Sequence, residues 1–157
     1  MSRRSVIGLI VPALLLLTIT VGSAASNPII TGQVSGIELC PQFICGSAIF
    51  AGVFHGTVDN KPTKGSFSVS VTHEALPTTA GQSSDITGGS WFIRTKTKVF
   101  FGDITGGTIT NNDAAIANTF LVSVTLALDH GGTGTLTFNG LLNHNDFPPT
   151  IIGTISQ

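Results

Sequence analysis

The stretch Ser66-Phe67-Ser68-Val69-Ser70-Val71-Thr72 decides the fold. Phe67, Val69 and Val71 alternate strictly with small hydroxyl residues. A period of two puts the apolar set on one face of a β-strand and the hydroxyls on the other. One face buried and one wet is the pattern of an antiparallel sheet over a single core. The same period runs through Phe120 to Leu128, where Phe120, Val122, Val124, Leu126 and Leu128 form the inner face. It recurs over 133–141, with Leu136 and Phe138 inward and Thr135 and Thr137 outward. Between 48 and 58 both faces are apolar, Phe50 and Phe54 on one and Ile49, Ala51 and Val53 on the other. That segment predicts a strand covered on both sides, or one whose outer face meets another surface.

Turn-forming residues separate these runs: Asp59-Asn60-Lys61-Pro62, Asn111-Asn112-Asp113 and Asp129-His130-Gly131-Gly132, the last reading as a hairpin. Further strands are expected near 30–39, 90–95, 98–105 and 150–156. No window carries a helical stripe, although Asp113 to Asn118 suits a single turn. Asp85-Ile86-Thr87-Gly88-Gly89 is repeated as Asp103-Ile104-Thr105-Gly106-Gly107, which reads as a recurrent Gly-Gly turn. About eight short strands with short links predict an all-β chain, a single antiparallel β-barrel or β-sandwich. The sequential hairpins favour the barrel. The longest connection, Glu74 to Gly88, reads as an exposed loop or as a crossover between two sheets.

Composition narrows the class. The chain has 157 residues, 41% of them hydrophobic and 10% charged, with a mean hydropathy of +0.41 and a formal net charge of -1. These values exclude a disordered chain, a coiled coil and a general nucleic-acid binder. Residues 1–25 read as a secretory signal peptide: Arg3 and Arg4, an apolar run from Val6 to Val21, then Ser23-Ala24-Ala25 before a cleavage point at Ser26. The Arg pair also resembles a twin-arginine export signal. The apolar run is short for a membrane span and is broken by Pro12, so no transmembrane segment is expected after cleavage. The remaining 26–157 form one β domain with five basic and eight acidic residues, a net charge of -3. All five bases, Lys61, Lys64, Arg94, Lys96 and Lys98, lie between 61 and 98.

Export agrees with the cysteines. Cys40 and Cys45 are expected to form a local disulfide that pins the connection after the first strand. Export also places the domain outside the cell, in the periplasm or at the cell surface.

The local motifs of common chemistries are missing. His55, His73, His130 and His144 form no His-x-His or His-x-x-x-His pair, and the only Met is Met1, so neither a metal site nor a blue-copper site is expected. No Gly-x-Ser-x-Gly elbow occurs. No cofactor is expected. The best polar clusters are His73 with Glu74, and His144 with Asp146. Either suits a barrel rim, or a solvated strand end where Asn143, His144, Asn145 and Asp146 shape a turn. Arg94, Lys96 and Lys98 crowd a hairpin turn. They form a candidate anion patch, a basic end for a second copy's acidic end, or a turn whose lysines block edge pairing. Trp91, beside Phe92 and Ile93, is expected in the core.

The leading expectation is therefore a secreted, non-enzymatic structural or binding module, its partner an extracellular ligand or itself. Alternatives are a barrel carrying a small apolar ligand, suggested by the ten Phe, a self-assembling surface protein, and an enzyme with a barrel-mouth site. An empty apolar interior separates the carrier from the structural module.

Overall fold

The computed structural model describes residues 27–113 and 118–157. Residues 1–25, where a signal peptide is expected, and most of the turn expected at 113–118 lie outside that range.

Eight strands follow one another: β1 (Ile30–Cys40), β2 (Ala48–Val58), β3 (Lys61–His73), β4 (Ser83–Thr95), β5 (Val99–Asn111), β6 (Thr119–Leu128), β7 (Gly134–Asn143) and β8 (Thr150–Ser156). Each pairs antiparallel with its neighbour in sequence, and β8 returns to β1 to close a barrel. Closure leaves no sheet edge to protect. The predicted single barrel is thus the observed fold, and the two-sheet alternative is set aside. The connection after β3 is no crossover: it runs only from Glu74 to Gln82 and joins adjacent strands.

Alternation is kept where it was read. Phe67 and Val71 on β3, all five inner positions of β6, and Leu136 and Phe138 on β7 are buried, as is Trp91. Outward positions carry hydroxyls, among them Ser66, Ser123 and Thr125. This is the reverse of the polarity a lipid-embedded barrel requires. Exposed apolar side chains interrupt the pattern, Ile37, Val53 and Phe101 among them, and Leu121, Leu141 and Ile152 stand side by side in a row across β6, β7 and β8. On β2, Phe50 and Phe54 point inward, but the outer face is not covered by the chain: Ile49 and Ala51 are half-buried and Val53 is exposed. Among the described residues, neighbouring side chains on the same face give the shielding.

The repeated Asp-Ile-Thr-Gly-Gly segments are not turns. They lie inside β4 and β5, and each places a β-bulge at its threonine. Opposite β3, Thr72 pairs with Gly88 and His73 with Ile86, so Thr87 is the extra residue. Opposite β6, Ile104 pairs with Leu126 and Gly106 with Thr125, so Thr105 is extra. Each bulge shifts the inward phase by one, from Ile86 to Trp91 and from Ile104 to Ile109. Such insertions bend and twist strands, which a small barrel needs in order to close. The second glycine of each segment allows close approach: a Cβ on Gly89 would sit 2.1 Å from the Ser70 carbonyl oxygen, and one on Gly107 2.2 Å from that of Ser123.

Turn chemistry matches the reading elsewhere. Asp59 and Asn60 both have positive φ, 54° and 61°, as a two-residue type I′ hairpin demands. Pro62 is tolerated because β3 pairs with β4 only from Gly65 onward.

Candidate functional site

The barrel has two unlike ends. Toward the turns 59–60, 96–98 and 129–133 the interior is filled by Ile30, Val34, Phe54, Ile93, Phe100, Leu136 and Ile155, all essentially without solvent exposure. Toward the opposite end it is hollow. A cavity of about 630 Å³ opens there, walled by apolar side chains from the strands, including Phe50, Phe67, Trp91, Val124 and Phe138. Its size falls within the range of small-molecule sites.

Three ionisable side chains reach the mouth for one reason. The inward phase of β1 runs through Ile30, Val34 and Glu38; that of β3 through Phe67, Val71 and His73; that of β7 through Leu136, Phe138, Leu142 and, one step past the strand, His144. Each polar group is the last inward position of its run, and all three line the cavity. Glu74 lines it as well. Across the mouth lie one helical turn, α1 (Gln42–Cys45), and the start of the β3–β4 connection with Ala75 and Leu76. The absence of a helical stripe in the sequence concealed α1, since four residues are too few to show a period.

The turn α1 is tied down at three points. The Cys40–Cys45 disulfide is formed as expected. Gly46 ends the turn at φ 77°, its N–H donating to the Gln42 carbonyl at 2.8 Å. The Gln42 side chain clamps the backbone of His73, accepting from its N–H at 2.9 Å and donating to its carbonyl at 2.8 Å. His73 in turn donates from Nδ1 to the Glu74 carbonyl at 2.5 Å, which leaves Nε2 as an acceptor in the neutral ring.

Glu38 and His144 are the most constrained pair. Their side chains are 8% and 26% exposed, and Glu38 Oε2 stands 3.8 Å from His144 Nε2, beyond hydrogen-bond reach. That nitrogen is buried with no hydrogen-bond partner among the described residues. His144 also meets the Phe120 ring edge-on, centroids 5.5 Å apart. Burial raises the Glu38 carboxyl above its ordinary range, partly opposed by the nearby His73. Burial lowers His144, and His73 lowers it further. The signs fix the pH dependence. His144 favours the folded state above about pH 6.5, and that contribution is lost as pH falls through its depressed value. Glu38 favours folding most below its ordinary 4.5, and that contribution is lost as pH rises through its elevated value. Glu38→Gln is therefore expected to raise the thermal midpoint by a few degrees near neutral pH and to leave it unchanged at pH 4. Equal midpoints at both pH values would show a carboxylate already satisfied by water.

The other singled-out residues lie elsewhere. Asp146 does not join the mouth: it accepts from Asn143 Nδ2 at 3.1 Å and from Thr150 Oγ1 at 2.5 Å, while Asn143 Oδ1 takes the Asn145 N–H. This is the turn-shaping arrangement. Arg94, Lys96 and Lys98 sit at the closed end around the β4–β5 hairpin, where Thr95 Oγ1 accepts from the Lys98 N–H at 2.9 Å. Lys98 pairs with Asp59 at 3.2 Å, both half-exposed, an ion pair worth little to stability. Lys61 and Lys64 begin β3 at that same end. His130 stacks on Phe101 at 4.5 Å, also at the closed end, and His55 is exposed on β2. Glu38 was not singled out in the sequence, although the spacing of Ile30, Val34 and Glu38 carries the signal.

Fold and cavity together define a class, the up-and-down antiparallel barrel that is packed at one end and hollow at the other. No protein-family model matches the chain, and no curated protein or solved structure shows significant similarity to it.

Proposed function

We propose that the protein is a binding barrel that carries a small apolar ligand, working outside the cell after export. Of the readings open at the sequence level, the hollow interior favours this one over a purely structural module, which would fill its core to crystal-like density. The observation that carries it is the cavity of about 630 Å³ with apolar walls and an ionisable rim. Burying apolar ligand surface there would gain roughly 25 cal/mol for each Å² removed from water. The Cys40–Cys45 disulfide is compatible with an oxidising compartment.

Trp91 makes the proposal measurable without mutation. It is the chain's single tryptophan and lines the cavity, its Nε1–H held by the Ala127 carbonyl at 2.7 Å. A neutral brominated medium-chain alcohol is expected to quench its fluorescence saturably, with one molecule bound per barrel. The double variant Val69→Trp/Val124→Trp, which narrows the cavity from facing walls, is expected to weaken binding of the neutral fluorophore phenylnaphthylamine by about tenfold or more. Absence of saturable quenching in the native protein would sink the carrier reading.

A further inference from the structure

The basic residues of the molecule gather at one end of the barrel axis, where Asp59 and Asp129 accompany them. Lys61, Lys64, Arg94, Lys96 and Lys98 belong to the closed end. Glu38, Glu74, Asp85, Asp113 and Asp146 belong to strand ends and connections at the open end, and no Lys or Arg accompanies them among the described residues. The two ends are separated by roughly 25–30 Å for strands of this length at the usual barrel tilt. Salt screens charges over about 8–10 Å, so the mouth does not feel the distant lysines.

Glu38 is the focus of that field. Its side chain is more than nine-tenths buried, faces the cavity and has no hydrogen-bond donor among the described residues, His144 Nε2 being 3.8 Å away, so only water from the mouth serves its oxygens. Burying a carboxylate without donors costs free energy, and such a group is satisfied by a donor arriving with a ligand. His144 adds an unpartnered ring nitrogen, Nε2, to the rim. An anionic head would meet a carboxylate and, among the described residues, no Lys or Arg to draw it in. A protonated amine would meet a carboxylate, and charge-assisted hydrogen bonds of this kind are about twice as strong as neutral ones.

We infer that the carried molecule is a cationic amphiphile, an apolar body filling the cavity with one ammonium head seated against Glu38; this rests on the carrier reading above. The rim stays partly open to water, so the ammonium is not fully desolvated while its apolar chain is. Selection against fatty-acid-like anions follows from the same carboxylate.

Decylamine, decanol and decanoate differ only in the head group and test the inference directly. In competition against phenylnaphthylamine on the intact protein near neutral pH, decylamine is expected to bind about tenfold tighter than decanol, with decanoate weakest. Glu38→Gln is expected to remove that advantage, bringing decylamine and decanol within about twofold of one another. Equal binding of amine and alcohol, or preference for decanoate, overturns the head-group inference and leaves the carrier reading standing. If none of the three compounds nor the fluorophore enters, the carrier reading itself fails. Should Glu38→Gln not fold, the order of the three affinities in the native protein decides.

Discussion

Replacing Phe100 with alanine is expected to cost about 3–5 kcal/mol of stability, whereas the same change at Phe50 is expected to cost roughly 1–3 kcal/mol. Both rings point inward and both are buried, Phe100 at 0% exposure and Phe50 at 3%. The difference lies in what surrounds them. Phe100 belongs to the packed end, so truncation loses the transfer free energy of the ring and opens a new void as well. Phe50 borders the existing cavity, so one side of its ring has no packing to lose. For a domain of this size Phe100→Ala should lower the thermal midpoint by roughly 10–20 °C. Denaturant titrations of the two variants check the contrast. Equal losses would mean that the open end is filled in solution.

The second large effect is expected at a glycine. Gly36 on β1 and Gly52 on β2 lie directly opposite one another, as do Gly32 and Gly56, and Gly140 and Gly153 on β7 and β8. The last two pairs sit beneath large rings: a Cβ on Gly32 would meet Phe54 at 2.7 Å, and one on Gly153 would meet Phe138 at 2.4 Å. At Gly52 the obstruction is backbone, with the Ser35 carbonyl oxygen at 2.0 Å and the Gly36 Cα at 2.4 Å from an added Cβ. No rotamer change relieves that contact, so β1 and β2 must separate. Gly52→Ala should therefore destabilise by about 3 kcal/mol or more. Gly46 supplies the comparison. Its φ of 77° disfavours a side chain, but nothing lies within 4 Å, so Gly46→Ala should cost only about 1–2 kcal/mol. Chemical denaturation of both variants tests the order, and a near-neutral Gly52→Ala would refute the close approach of the two strands.

These two predictions also mark where sequence reasoning stopped. The period of two at Phe67 to Val71 and at Phe120 to Leu128 identified inner faces correctly because burial on one side of a sheet is imposed locally. It could not show that Gly36 meets Gly52, since cross-strand register depends on where both strands begin. The repeat at Asp85 and Asp103 predicts turns, whereas the structure places bulges there. Gly-Gly most often marks a turn, and only pairing with β3 and β6 reveals an inserted residue. The phase jump from Ile86 to Trp91, an odd separation between inward positions, was the available signal. Similarly, His73 and His144 were noticed as polar strand ends, whereas Glu38 was passed over because its neighbours Ile37 and Leu39 hide the alternation.

By itself the sequence determined an all-β chain, its main inner faces, the local disulfide and the separation of bases from the C-terminal acids. All of these depend on spacing between residues close in the chain. Only the tertiary structure decided that the sheet closes, that side chains fill one end and leave the other hollow, and that Glu38, His73 and His144 share one rim. Those outcomes depend on strand register and on the volume of side chains meeting from opposite walls. Residues distant in sequence set both together, so no local pattern records them.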